Sequence, residues 1–265
     1  FPLFLGDGAR LVRALIDFML DLHLEKHGYT EVHTPIVINS KSLRGTGQLP
    51  KMAEDMYRIA DEDLWLNPTA EVPVTNIYRD EILEPGMIPS LLTAYCPSFR
   101  KEAGAYGKDT RGIQRLHQFD KVELVRFVAP ETSYDAHEAL RKDVEDVLEA
   151  LELPYRVLLL CAGDLSFAAA KCYDFETWAP GQQAWLEVSS CSNFEAFQAR
   201  RAGIRFRREA GAKAEFVHTL NASGLALPRI LITILEQNQE ADGRVRLPQA
   251  IRPYLKGQEW LAPRN

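Results

Sequence analysis

Near the start of the chain, apolar side chains recur at three- and four-residue intervals: Leu11, Ala14, Leu15, Phe18, Met19 and Leu22, with Arg13, Asp17 and Asp21 opposite. That period predicts an amphipathic helix over residues 9–26, with Gly28 as its stop. A second stripe, Leu140, Val144, Val147, Leu148 and Leu151, predicts a helix from Glu131 to Leu151, capped by Thr132 or Ser133. Between the helices the pattern shortens. YTEVHTPIVIN, residues 29–39, reads as one strand interrupted by Pro35, which has no N–H to give a ladder and belongs at an edge or bulge. KSLRGTGQLPKMAEDMYRI reads as a glycine-containing loop feeding a short strand. The unbroken apolar run YRVLLLC, residues 155–161, predicts a buried strand. CAGDLSFAAAKCYD after it reads as a small-residue turn and helix, and WLEVSS as another strand. TLNASGLALPRILITILEQNQ predicts a strand, a turn at Asn221, Ser223 and Gly224, and a helix with Pro228 early and Ile230, Ile234 and Leu235 turned inward. The mixture of helices and strands fits an α/β chain.

The stretch from Phe99 to Val125 breaks the usual economy of a half-buried strand. FRKE and RLHQFDKVELV flank a polar run with Gly104, Gly107 and Gly112, so the stretch reads as two antiparallel strands joined by a long loop. Side chains alternate along a strand, so Arg100 and Glu102 share one face of the first. Arg115, Phe119 and Glu123 share a face of the second if that strand begins early enough to include Arg115. One surface then carries two cations, two carboxylates and a phenyl ring. Buried charge without a partner is costly, so such a face implies a ligand or solvent. Phe119 and Glu123 are four residues apart, about 13 Å along a strand. That span suits an aromatic base at one end, phosphate in the middle and a small polar group at the other.

Composition narrows the partners. The 265 residues, 46% hydrophobic, suffice for one large α/β domain with its own core, or two small ones. The net charge of −6 supplies no global field for nucleic acid, leaving RRAGIRFRR, residues 200–208, as the best local basic patch or a solvated loop. Cys96, Cys161, Cys172 and Cys191 lack metal-ligand spacing, which points to a reducing compartment. No apolar run reaches membrane-spanning length. The chain opens on Phe1 without an initiating Met, which reads as an internal cut.

FRxE, a loop and RxxxF resemble motif 2 of the class II aminoacyl-tRNA synthetases, and GKDTRG, HQFDKVEL and SSCSNFEAFQARR resemble the bacterial-type seryl branch. HGYTEVHTPIV resembles motif 1, the helix and proline strand of that family's dimer interface. TLNASGLALPRI resembles motif 3, with fewer glycines than usual but with Arg229 in place. The resemblance implies a class II catalytic domain over residues 1–265, α/β of the α+β kind with an antiparallel sheet flanked by helices, without the family's N-terminal coiled-coil arm. It implies ATP-dependent activation of L-serine and transfer to tRNA(Ser), by a cytoplasmic homodimer using Mg²⁺ with its ATP.

It also implies roles. Arg100 bridges the amino-acid carboxylate and the α-phosphate, Glu102 accepts from the adenine amino group, and Phe119 stacks on adenine with Arg229 on the far side. Arg115 reaches the terminal phosphates. Lys101, Leu116, His117 and Gln118 complete the ATP segments of motif 2, and Val188 and Ser189 lie between Glu187 and Ser190. Those two hold Mg²⁺, although residues three apart on a strand face opposite sides, so Ser190 joins only across a bulge or turn. Thr69, Ala70 and Glu71 resemble the serine-binding loop, and Glu123, Asn221 and Ser223 complete the amino-acid pocket. Two alternatives stay open: an arm-less relative that hands the aminoacyl group to another acceptor such as a carrier protein, and a non-catalytic amino-acid or nucleotide sensor.

Overall fold

The computed structural model describes residues 1–102 and 112–263, so Gly104 and Gly107 lie outside the described residues. Seven strands form the main sheet: β1 Thr30–Glu31, β2 Ser90–Phe99, β3 Gln118–Val128, β4 Tyr155–Leu159, β5 Lys171–Ala179, β6 Ala184–Asn193 and β7 His218–Ala226. Their order is β1-β2-β3-β7-β6-β5-β4, parallel between β1 and β2 and antiparallel elsewhere. The helices are α1 Asp7–Glu25, α2 Ser40–Thr46, α3 Glu71–Thr75, α4 Ser133–Ala150, α5 Phe197–Ala202 and α6 Leu227–Gln237.

Strand β3 sorts the molecule into two sides by parity. Val122, Leu124 and Val128 join the large core beneath α1, α4 and α6. Val125 and Phe127 face the other way, into a second cluster with Ala199, Ala202 and Ile204. That second face turns polar at its far end, at Phe119, Lys121 and Glu123, and there the cavity opens.

Helix α1 buries Leu11, Ala14, Leu15, Phe18 and Met19 as its spacing predicts. Gly28, at φ 72°, ends it, and the Tyr29 N–H reaches back to the His23 carbonyl. Helix α4 starts two residues later than expected, after a 3₁₀ turn over Pro130–Thr132, and neither hydroxyl caps it. The Thr132 hydroxyl donates instead to the Ala129 carbonyl.

Four expected elements differ. Residues 29–39 form two short strands, β1 in the main sheet and Val37–Asn39 paired with Leu64–Leu66 in a separate ribbon. Pro35 falls between them, where no ladder N–H is needed. Part of the expected loop is helix α2, capped by Asn39 Oδ1 at the Ser42 N–H and stopped by Gly47 at φ 98°. Strand β4 is an edge strand with Leu159 62% exposed, since an apolar run does not reveal how many neighbours a strand has. Residues 161–170 are turns leading into β5 rather than a helix, and Lys171–Asp174 at the end of that stretch are held extended by pairing with β6.

On the helical side, Arg126 is buried between strand and helix. Its guanidinium donates to Tyr29 Oη at 2.7 Å and to the Asp143 carboxylate, and Tyr29 donates to Asp143 at 2.8 Å. Removing one partner of a buried pair leaves a charge without compensation. Asp143→Ala is therefore expected to cost about 3–5 kcal/mol of unfolding free energy, measured by denaturant titration, with no change in the residues that line the cavity.

Candidate functional site

The cavity measures about 510 Å³ and is floored by β3, β6 and β7. Arg100, Phe119 and Arg229 all open onto it, together with Glu102, Arg115 and Glu187. Three distant segments therefore present guanidinium, phenyl and carboxylate groups to one space.

Arg100 and Glu102 do not share a strand face, because β2 ends at Phe99. Arg100 turns back over Phe119, with its guanidinium 5.4 Å from the ring centroid, and its Nε donates to the Pro68 carbonyl. Glu102 sits at φ 53°, a left-handed conformation that costs a non-glycine residue about 1–3 kcal/mol. Arg115 likewise precedes β3, which begins at Gln118, and it joins the site through a 3.0 Å ion pair with Glu102. Ion pairing, rather than strand alternation, brings these two together.

Of the other motif 2 positions, Leu116 lines the cavity and is buried. Lys101, His117 and Gln118 do not line it. Lys101 lies over the Tyr57 ring, His117 bonds the Tyr57 hydroxyl and stacks on Phe1, and Gln118 has the opposite parity to Phe119. Ala70 is also absent from the lining, fully buried between Thr69 and Glu71.

Part of the cavity wall is a closed polar set on β3, β7 and the residues leading into α3. Asn221 and Ser223 lie within β7 rather than in a turn, and Ser223 stands opposite Glu123 in the ladder. Glu123 is 1% exposed and receives the Thr69 hydroxyl at 2.9 Å, the Asn221 amide and the Lys121 ammonium. Lys121 also donates to Thr69 Oγ1 at 2.9 Å. Thr69 in turn accepts the Glu71 N–H, which fixes the turn into α3. Lys121 was missed in the sequence although it shares parity with Phe119 and Glu123; that parity was the available signal.

Glu71 is buried beside Glu123, and burial first, then the Glu123 charge, raise its carboxyl to about 7. Gln198, Lys121 and Arg100 oppose that rise. Gly224 follows Ser223 at close quarters: a Cβ there would meet His23 Nε2 at 2.7 Å, so only glycine lets β7 approach α1.

On β6, strand parity alone sets Glu187 and Ser190 on opposite faces. The register between β5 and β6 shifts there, with Phe175 opposite Ser189 and Glu176 opposite Glu187, so Val188 is the extra residue of a bulge. The bulge brings Glu187, Val188, Ser189 and Ser190 all to the cavity wall. Asp174, across from Ser190, lines it too, and burial with the nearby Glu187 charge raises its carboxyl to about 6. Among the described residues no group of three or more His, Cys, Asp or Glu stands ready to hold a metal. Oxygen donors beside mutually repelling carboxylates still fit Mg²⁺, which commonly takes one or two carboxylates and completes its shell with phosphate and water.

Arg229 stands in the first turn of α6, after Pro228. It donates to the Glu187 carbonyl at 2.6 Å and to the Gln114 carbonyl, tying motif 3 to both other segments. Ile230 and Ile234 are buried as predicted, whereas Leu235 is 37% exposed.

Residues 56–238 match the tRNA synthetase class II core domain (G, H, P, S and T). The chain belongs to that family. Within it, the chain is 60% identical over 255 residues to the serine–tRNA ligase of Chloroherpeton thalassium, covering 96% of the chain and 60% of the relative. The seryl-tRNA synthetase of Pyrococcus horikoshii, complexed with ATP, superposes with a TM-score of 0.96 at 43% identity, over 100% of the chain and 59% of that structure. The cytoplasmic serine–tRNA ligase of Naegleria fowleri, in complex with AMP, superposes at 0.92 and 33% identity, over 99% and 62%. The chain spans about three-fifths of the length of these class II relatives. Among the described residues no helix is long and apolar enough to cross a membrane. The basic run at 200–208 is largely engaged: Arg201 donates to the Arg44 carbonyl, Arg207 pairs with Glu84, and Arg208 pairs with Glu131 and Glu215.

Proposed function

We propose that residues 1–265 are the catalytic domain of a serine–tRNA ligase, which joins L-serine to AMP from ATP and passes the seryl group to tRNA(Ser). The observation that carries this reading is the one cavity that Arg100, Phe119 and Arg229 line together with Thr69, Glu71, Glu123, Asn221 and Ser223. Its support includes the names of the relatives and the ATP and AMP of two solved neighbours.

In the first step a serine carboxylate oxygen attacks the α-phosphorus, a new P–O bond forms, and pyrophosphate leaves with the electrons of the α–β bridge. The nucleophile is already ionised, so no general base is required. Both partners are negative, and fixed cations must offset their repulsion. Arg100 would lie between carboxylate and α-phosphate, while Arg115 and Arg229 would hold the outer phosphates. Phe119 offers its ring to adenine, and a guanidinium over such a π-face contributes about 1–2 kcal/mol when desolvated. Glu102 would accept from the adenine amino group. Glu187 and Ser190 would hold Mg²⁺, which would neutralise phosphate charge.

Glu123 and Glu71 would accept from the substrate's hydroxyl and ammonium groups. A homodimer through α1 and the strands after it fits the exposure of Ile36 and Val37, 42% and 40%. Transfer to tRNA(Ser) would draw on sequence outside these residues, and the protein would act in the cytoplasm. The test is serine-dependent ATP–pyrophosphate exchange set against aminoacylation. Residues 1–265 are expected to exchange with serine alone among the twenty amino acids and to charge tRNA(Ser) poorly. Failure of exchange despite ATP binding would favour a sensor, and loading of a carrier protein would favour the arm-less relative.

A further inference from the structure

Gln198, on α5, does not line the cavity; it is 1% exposed behind Glu71. Three other elements converge on its amide. Nε2 donates to Glu71 Oε1 at 2.6 Å and to the Thr46 carbonyl at 3.3 Å, and Oε1 accepts the Thr219 hydroxyl at 2.8 Å. A backbone carbonyl only accepts, so the NH₂ end must face Thr46, and its second N–H is thereby aimed at Glu71. Donors to a carboxylate favour its ionised form.

We propose that Gln198 is a positioning residue for amino-acid recognition, its amide holding the Glu71 carboxylate ionised and turned toward the ammonium group of the substrate. This rests on the serine-activating role given above. The other charged groups that bear on Glu71 are Glu123 and Lys121 from β3 and Arg100 from beyond β2. Burial and Glu123 drive Glu71 toward protonation; the Gln198 N–H is the foremost influence against it. An ionised Glu71 accepts strongly from an ammonium, and a neutral one loses the charge that makes the bond strong.

Gln198→Leu keeps approximate size and removes the donor. Serine affinity follows the ionised fraction of Glu71, so kcat/KM for serine rises with pH through the free-enzyme value of about 7. In the variant that rise moves to higher pH. At pH 7 the KM for serine increases about 10- to 100-fold, with the KM for ATP and kcat at saturating serine unchanged. The deficit shrinks as pH is raised toward 9, a recovery that mere loss of packing would not produce. Glu71→Gln abolishes the rise altogether.

An unchanged serine KM and pH profile in Gln198→Leu overturns the proposal. So does an equal loss for both substrates without recovery at high pH, or a pH-dependent rise that survives in Glu71→Gln. Should Gln198→Leu fail to fold, Thr219→Val removes only the donor to Gln198 Oε1 and should shift the profile less, in the same direction; no shift there counts against the proposal. Parent protein that exchanges pyrophosphate with no amino acid would instead defeat the serine-activating role itself.

Discussion

Arg100→Ala is expected to slow serine-dependent ATP–pyrophosphate exchange by about 10²–10³-fold, the usual cost of one fixed donor aimed at developing charge. The effect should lie in kcat more than in KM, because the guanidinium matters most when carboxylate and α-phosphate approach. Arg100 is half-buried; its side chain donates to the Pro68 carbonyl and lies over the Phe119 ring. Among the described residues it forms no ion pair, so on its removal unfolding free energy should change by less than about 1 kcal/mol. Arg100→Lys should recover little, since an ammonium cannot address two oxygens in one plane. Steady-state exchange kinetics on both variants, with thermal unfolding as control, separate the contribution to catalysis from any loss of structure. Exchange within tenfold of the parent would show that Arg100 does not act on the reacting groups.

Glu123→Gln is expected to lower kcat/KM for serine by about 10²–10³-fold while leaving the KM for ATP within twofold. Hydrogen bonds to a charged group each contribute about 1.5–3 kcal/mol, and the substrate's hydroxyl and ammonium would both lose one. The substitution also strips the buried Lys121 ammonium of its carboxylate, so a loss of about 3–5 kcal/mol in stability accompanies it. Alanine offered in place of serine separates the two effects. A site that hydrogen-bonds a substrate hydroxyl rejects the analogue without one because its own polar groups are left unpaired. The parent should discriminate strongly between serine and alanine, and Glu123→Gln should narrow that ratio. An unchanged ratio with lowered stability would make Glu123 a structural partner of Lys121 alone.

Much of this site was legible along the chain. The charged strand face of Phe119 and Glu123, the arginine after Pro228 and the Thr69–Glu71 turn were all recognisable because each depends on local spacing or wording. Helix α1 was legible for the same reason: one periodic stripe meets one core. Lys121 went unassigned, although its parity placed it between two residues that were named.

What the sequence determined by itself was the residue chemistry and the local period: which stretches carry an apolar helical stripe, which carry charge, and the family's three motifs. Only the tertiary structure decided how Glu187 and Ser190 reach one wall, since that depends on a single extra residue in the ladder between β5 and β6. It alone set β4 at the sheet edge, took Lys101 and His117 out of the cavity, and brought Gln198 behind Glu71 across 127 residues of chain. Period and propensity act over a few neighbouring residues. Register, edge position and long-range hydrogen bonds are fixed by which strands and helices finally pack together, and that is decided by the whole core at once.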